Sequence, residues 1–141
     1  EEDVSAFLRS PEVSMAASTI SRHMSVRMKM VEKQREIAGK MSCVLDGRDI
    51  GTFVLPDADF KFFLTASPEV RARRRFDELT AKGEQVDFET LKQEIAARDE
   101  QDSTRAFAPL KKADDAVLID TSDMTIEQVL GTIKRKMQEK I

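Results

Sequence analysis

A four-residue stretch, Asp46-Gly47-Arg48-Asp49, places two carboxylates, a guanidinium and a glycine directly after an apolar run. An arginine can hold a phosphate or carboxylate through two parallel charge-assisted hydrogen bonds, and a neighbouring glycine lets a ligand approach the backbone. A carboxylate here can hold Mg²⁺ through water. The stretch therefore fits an anion site, but it fits equally a polar turn with a local Asp–Arg pair.

A second group of charged residues follows helical spacing. Arg98, Asp102 and Arg105 are four and then three positions apart, so one helical face presents two guanidinium groups around a carboxylate. This face could hold a ribose hydroxyl and phosphates, or it could be a solvated salt-bridge ladder that adds only about 0.3–0.5 kcal/mol per pair. The apolar run from Ala106 to Leu110 places the arginines near a buried junction, which weighs against the ladder.

A third cluster is open to the same two interpretations, a binding site or a set of local ion pairs. Its four arginines and two acids are Arg71, Arg73, Arg74, Arg75, Asp77 and Glu78.

The composition bounds the classes of protein. The chain has 141 residues, of which 40% are hydrophobic and 35% charged, which predicts one globular domain. A net charge of −3 gives no general attraction to nucleic acid or anionic lipid, so we expect neither as a partner. One cysteine and one histidine cannot supply four zinc ligands.

The same counts bear on location. The single cysteine, Cys43, excludes an intrachain disulfide and suits a reducing compartment. No apolar run approaches the roughly 20 residues of a membrane span, and the acidic N-terminus is unlike a signal peptide. We expect a cytoplasmic protein, and because the first residue is not Met, the chain is expected to be a piece of a longer one.

Patterning predicts helices separated by short apolar strands. Helices are expected from Ser10 to about His23, from Ser25 to Gly39 with Val26, Met30 and Ile37 as an apolar stripe, from Ser67 to Gly83, from Asp87 toward Thr104, and over 125–140 with Ile126, Val129, Ile133 and Met137 on the inner face. Strands are expected over 41–45, 60–64 and 116–119. Helices long enough for crossovers between strands indicate an α/β fold with parallel strands.

Two longer stretches carry a family resemblance. "DGRDIGTFVLPDADFKFFLTASPEVRARRRFDEL" and "RDEQDSTRAFAPLKKADDAVLIDTSDMTIEQV" resemble bacterial cytidylate kinase, and "SPEVSMAASTIS" resembles that family's nucleoside-binding insert. The resemblance implies an α/β fold of the P-loop nucleoside-monophosphate-kinase type, with a parallel sheet and helices on both faces. It also implies transfer of the ATP γ-phosphoryl group to CMP or dCMP, with Mg²⁺.

The resemblance assigns nucleoside contacts. Ser18, Arg27 and Asp49 match positions that read the cytosine edge, and Arg98 and Asp102 match the ribose contacts. The chemistry agrees, because a carboxylate and a hydroxyl can accept from the cytosine amino group while a guanidinium donates to its ring nitrogen and carbonyl.

The resemblance also implies catalytic and cofactor residues. Arg48 and Arg105 match arginines on the substrate phosphate, and Asp46 matches the acid near magnesium. Arg71 and Arg75 lie at the start of the lid helix and are assigned to ATP.

By the same comparison, residues 1–40 form part of the nucleoside-monophosphate-binding insert and a helix returning to the core, and 41–67 carry core strands. Residues 68–106 form the lid region, and 107–141 a core strand and the C-terminal helix.

The chain departs from the family at one motif. G-x-x-x-x-G-K-[ST], whose backbone cradles ATP phosphates, occurs nowhere in it. We expect the first strand and its P-loop to belong to a missing N-terminal segment, and the chain alone to be inactive. The alternative is a helical regulatory or protein-binding module without catalysis.

Overall fold

The computed structural model describes residues 3–5, 8 and 10–140. The chain divides into two compact units, Glu1–Leu45 and Asp46–Ile141. Among the described residues, the helices are all too short or too polar to cross a membrane.

The described part of the first unit forms the helices α1 (Pro11–Ile20) and α2 (Met24–Ala38). The hydroxyl of Ser10 accepts a hydrogen bond from the Val13 amide at 3.2 Å, so the predicted N-terminal cap of α1 is confirmed. Gly39 ends α2, also as predicted. α1 ends at Ile20, short of His23, because His23 is already the N-cap residue of α2.

The strand predicted over 41–45 is absent, and that prediction is wrong. Met41 lies in a bend and residues 42–46 have no regular structure, with the Val44 side chain 99% exposed. An apolar segment becomes a strand only by hydrogen bonding to a neighbour, and among the described residues no strand pairs with it.

The apolar stripe predicted on α2 is also partly wrong. Val31 is the buried residue of this helix, whereas Met30 and Ile37 are about half exposed and Val26 is half-buried. The buried face of α2 is therefore centred on Val31, one position after Met30 of the predicted stripe.

The second unit contains three α-helices, two strands and one π-helical turn. In chain order these are the π-helical turn (Ile50–Val54), β1 (Phe62–Thr65), α3 (Pro68–Ala81), α4 (Phe88–Thr104), β2 (Val117–Asp120) and α5 (Ile126–Gln138). Each α-helix begins at the residue that the sequence indicated, because its cap accepts a backbone N–H. Ser67 caps α3, Asp87 caps α4, and Thr125 forms a capping box with Gln128 on α5.

The strands β1 and β2 form a parallel pair, as predicted, each shifted by one or two residues from the predicted bounds. Phe62 lies opposite Val117 and Leu64 opposite Ile119. The α/β class is therefore confirmed in its coarse form. The parallel direction brings the ends of both strands to the same side, where the Thr121 amide donates to the Thr65 carbonyl at 2.7 Å.

The buried core of the second unit draws on the π-helical turn, the end of β1, α3 and β2. Its fully or nearly buried apolar side chains in this unit are Val54, Ala66, Ala72, Leu79 and Ile119. Arg71 of α3 binds both carboxylate oxygens of Asp99 on α4, at 2.9 and 2.5 Å, and so fixes the two helices to each other.

Helix α5 presents a weaker inner face than the sequence predicted. Val129, Ile133 and Met137 are half-buried, but Ile126 is 75% exposed. Ile126 is the first residue of the helix, directly after the Thr125 cap, where a side chain has no preceding turn to pack along.

Matched leucine truncations test the position of this core. Leu79 is 4% exposed and Leu130, on α5, is 52% exposed. We expect Leu79→Ala to lower the free energy of unfolding by about 2–4 kcal/mol because it leaves a cavity, and Leu130→Ala by less than about 1 kcal/mol. Urea unfolding followed by circular dichroism measures both. Equal losses would contradict the placement of the core.

The Lys61–Asp115 ion pair predicts a pH dependence of stability. The Lys61 side chain is 8% exposed, and its ammonium donates to both oxygens of Asp115, at 2.9 and 2.7 Å, and to the Pro56 carbonyl. These hydrogen bonds lower the pKa of Asp115 from its ordinary value of 3.8.

A lowered carboxylate pKa contributes stability above the unfolded pKa and loses it as pH falls through the folded pKa. Lys61→Met should therefore be less stable than the wild type near neutral pH, with the difference shrinking below pH 3.8. Thermal unfolding across pH measures this difference, with the exposed Lys111→Met as control. A difference that is constant with pH would show that the ion pair contributes nothing.

Candidate functional site

The carboxylate of Asp102 lies at the centre of the charged residues in the second unit. The residue is only 8% exposed, in the last turn of α4, and its Oδ2 accepts a hydrogen bond from Arg48 Nε at 3.0 Å. A buried carboxylate needs such partners, because desolvation without them is costly. The nearest cation comes from a segment 54 residues away along the chain. The solvated-ladder interpretation therefore does not fit this residue.

Two more arginines flank the same carboxylate. Arg98 Nε lies 4.0 Å from Asp102 Oδ2, and the terminal nitrogen Nη1 of Arg105 lies 4.0 Å from Asp102 Oδ1. The other terminal nitrogen, Nη2, of Arg105 lies 3.7 Å from Oδ1 of Asp49, which is also only 8% exposed. Three guanidinium groups thus face two carboxylates. The cluster has a local excess of one positive charge, although the chain as a whole is acidic.

The π-helical turn positions Asp49. The Asp49 carbonyl accepts from the amides of both Phe53, at 2.9 Å, and Val54, at 3.1 Å, and Val54 is the most deeply buried large side chain. Single π-helical turns occur often at functional sites. Gly47 precedes the turn because a Cβ there would lie 2.9 Å from Cγ1 of Ile50. A side chain at position 47 would therefore force Ile50 to shift.

The loop after α4 positions Arg105. Arg105 Nε donates to the carbonyl of Ala108 at 2.5 Å, and Ala108 has φ of +46°, a region that favours glycine. The Phe107 ring contacts Phe53 edge to face, with centroids 4.8 Å apart. Sequence reasoning noted the apolar run that contains Phe107 but missed these contacts, because Phe53 lies in a distant segment and nothing marks Ala108 as left-handed.

The structure brings together five of the predicted site residues and leaves others apart. The five are Arg48, Asp49, Arg98, Asp102 and Arg105. Asp46 is exposed in the segment just before them. Ser18 and Arg27 are half-buried on α1 and α2 of the first unit, so their place in the same site stays a prediction.

The predicted lid arginines make contacts within the second unit. Besides its bond to Asp99, Arg71 donates from Nε to the Ala66 carbonyl at 3.0 Å, and the hydrogen bonds to Asp99 raise the pKa of Arg71. Arg75 pairs with Glu78 one helical turn later, at 3.0 Å. Their assignment to ATP stays a prediction.

The other two arginines of this cluster link α3 to its neighbours. Arg74 donates to the carbonyl of Thr121, at 2.5 Å, and to its hydroxyl, at 3.3 Å. Arg73 lies over the ring of Phe88, 4.4 Å from its centroid. The third cluster is thus largely a set of packing contacts around α3.

Metal chemistry has one candidate residue here. Among the described residues, no three His, Cys, Asp or Glu side chains lie close enough together to enclose a metal ion. Mg²⁺ is commonly held by one or two carboxylates together with substrate phosphates and water. The single exposed carboxylate of Asp46 fits that kind of donor set.

Comparison with known proteins places this site in a family. A family model described as cytidylate kinase matches residues 1–139. The chain is 52% identical to a cytidylate kinase of Geobacillus sp. strain WCH70 over 99% of its own length and 62% of that protein. It is 50% identical to the cytidylate kinase of Halalkalibacterium halodurans over 99% of its length and 63% of that protein. It is 55% identical to the cytidylate kinase of Corynebacterium glutamicum over 91% of its length and 56% of that protein.

The chain thus spans about three fifths of the length of these curated relatives. The expectation drawn from its sequence stretches is confirmed over nearly all of its residues: the chain belongs to the cytidylate kinase family.

Proposed function

We propose that the whole protein transfers the γ-phosphoryl group of ATP to CMP or dCMP, giving CDP or dCDP and ADP. The observation that carries the proposal is the buried Asp102 carboxylate, bound by Arg48 and flanked by Arg98 and Arg105. These residues match the motif positions that contact ribose and phosphate in the family.

Phosphoryl transfer explains the need for arginines in this cluster. The transferred group carries negative charge spread over its equatorial oxygens, so catalysis depends on positioning and charge stabilisation. Arg48 and Arg105 would donate to the phosphate of the acceptor nucleotide. Their guanidinium groups are held by Asp102 and by the Ala108 carbonyl, so little reorganisation would be needed when the substrate binds.

Selectivity for cytosine would come from the three residues that match the base-reading positions of the family. Asp49 and Ser18 would accept from the cytosine amino group, and Arg27 would donate to the ring nitrogen and carbonyl. A site built from such groups rejects bases that leave them unpaired. Arg98 and Asp102 would hold the ribose.

Asp46, Arg71 and Arg75 would bind Mg²⁺ and ATP. Mg²⁺ would neutralise charge on the β- and γ-phosphates. Asp46 would hold the ion through water, consistent with its exposure, and Arg71 and Arg75 would contact ATP from the lid.

The phosphate-cradling P-loop would come from a segment encoded ahead of residue 1. Two observations support this: the chain contains no G-x-x-x-x-G-K-[ST] motif, and its relatives are longer. The first strand of that segment would extend the parallel sheet of β1 and β2, with helices on both faces. We propose a cytoplasmic location, in keeping with the single cysteine.

A chimera tests the proposed function. Joining the part of the Geobacillus relative that this chain does not cover to residue 1 should give CMP-dependent ADP release and CDP formation, whereas the chain alone should give none because nothing in it cradles the ATP phosphates. A coupled assay with CMP, UMP and GMP measures both proteins. Turnover by the chain alone would contradict the missing segment. A folded chimera that shows neither turnover nor a CMP-specific thermal shift would favour the alternative, a regulatory or protein-binding module.

Arginine-to-lysine substitutions test the phosphate contacts. In the active chimera, Arg105→Lys should lower kcat/KM for CMP, because an ammonium keeps the charge but loses the bidentate fork. The expected loss of transition-state stabilisation is about 1–3 kcal/mol. The matched control is Arg135→Lys on α5, where an exposed arginine lies 3.9 Å from Glu139 and a change within about two-fold is expected. Wild-type kinetics for Arg105→Lys would remove Arg105 from the site.

A further inference from the structure

We propose that Phe53, Phe107 and Ala108 together position Arg105 for the reaction. We call these three residues the Arg105 clamp. The inference rests on the proposed function, because the clamp acts only through Arg105, whose contact with the substrate phosphate belongs to that proposal. The clamp residues themselves do not contact a substrate.

The first part of the clamp, Ala108, fixes the Nε atom of the Arg105 guanidinium. Arg105 Nε donates to the Ala108 carbonyl at 2.5 Å. The carbonyl points back at Arg105 because Ala108 adopts φ of +46°, which turns the chain in a way that residues with a Cβ rarely adopt. Strained backbone of this kind persists where the surrounding structure holds it, and it clusters at functional sites.

The two terminal nitrogens of Arg105 lie close to the two buried carboxylates of the site. They lie 4.0 Å from Asp102 and 3.7 Å from Asp49. Since the guanidinium is planar, fixing Nε limits the plane in which the terminal nitrogens can donate. The side chain is 21% exposed, and its terminal nitrogen Nη2 is buried. The clamp therefore fixes the direction in which the guanidinium can donate.

The second half of the clamp sets the distance between two parts of the site. The rings of Phe53 and Phe107 meet edge to face at 4.8 Å and 76°. Phe53 moves with Asp49 because its amide donates to the Asp49 carbonyl at 2.9 Å. Phe107 lies between Arg105 and Ala108 in the chain. The ring pair thus joins the π-helical turn that carries Asp49 to the loop that carries Arg105.

The loop is also tied to α4. The Leu110 amide donates to the Asp102 carbonyl at 2.7 Å, so both ends of the loop are fixed to α4 and its interior rests on the ring pair. Shortening Phe107 would therefore loosen Arg105 while the rest of the backbone stays attached. An error of about 1 Å in such a group can cost about a hundred-fold in rate.

The test uses the full-length enzyme or the active chimera and the variant Phe107→Leu. We expect kcat/KM for CMP to fall about ten- to a hundred-fold while KM for ATP stays within about two-fold. The matched control is Phe60→Leu, since Phe60 lies beside Lys140 and outside the clamp. Phe53→Leu breaks the same ring pair from the other side and serves if Phe107→Leu fails to fold.

A double-mutant cycle separates positioning from general weakening of the fold. In an Arg105→Met background, Phe107→Leu should cause almost no further loss of kcat/KM, because the group it positions is gone. An equal loss in both backgrounds, or no loss in the wild-type background, would overturn the clamp.

A spectroscopic readout keeps the inference separate from the proposed function. In NMR spectra, the Nε–H of Arg105 should exchange slowly in the wild type and in Phe60→Leu, and rapidly in Phe107→Leu. Fast exchange in the wild type would overturn the clamp whatever the enzyme does. A third outcome is slow exchange in the wild type, fast exchange in Phe107→Leu, and no phosphorylation of CMP. That outcome would support the clamp geometry, but it would overturn the proposed function and with it the role of the clamp in catalysis.

Discussion

The buried carboxylate of Asp102 is the group on which the arrangement of the site depends. Taking a carboxylate out of water is costly, and removing one partner of a buried ion pair commonly costs about 3–5 kcal/mol. Asp102 therefore constrains its surroundings: Arg48 must reach it from the segment before the π-helical turn, and Arg98 and Arg105 flank it. One side chain thereby links α4 to the segment that precedes the π-helical turn. The arginines share one carboxylate and are thereby pre-arranged.

Under the proposed function, this arrangement would let an acidic chain bind an anionic substrate. The net charge of −3 would repel a nucleotide slightly at long range. Charge is screened beyond roughly 8–10 Å at ordinary ionic strength, so a local excess of guanidinium groups would decide the binding of such a substrate. Elsewhere in the second unit, arginines serve other purposes, as Arg71 does in binding Asp99 across two helices. Counting arginines is therefore a poor guide to where the substrate binds.

Local signals made the helices predictable, and tertiary contacts decided the rest. Ser10, Ser67, Asp87 and Thr125 each cap the helix that the sequence indicated, because a cap acts within three residues of itself. The segment 41–45 failed as a strand since strands depend on neighbours that periodicity cannot supply. Helical spacing grouped Arg98, Asp102 and Arg105, but only the family resemblance pointed to Arg48 as a partner in the same site. The contact between Phe53 and Phe107 left no local signal, and so it appears only in the structure.

The π-helical turn has a consequence for how this family can change its length. The Val54 amide reaches back five positions to the Asp49 carbonyl, one more than in an α-helix. Deleting one residue from this turn would convert it to an α-turn and rotate Phe53 away from Phe107. Inserting one would leave an amide without its carbonyl. The loop between α3 and α4 has no such restriction, since residues 82–85 are exposed and loop closure depends only weakly on length. Insertions and deletions among homologues should therefore be tolerated between α3 and α4 and selected against between Asp49 and Val54.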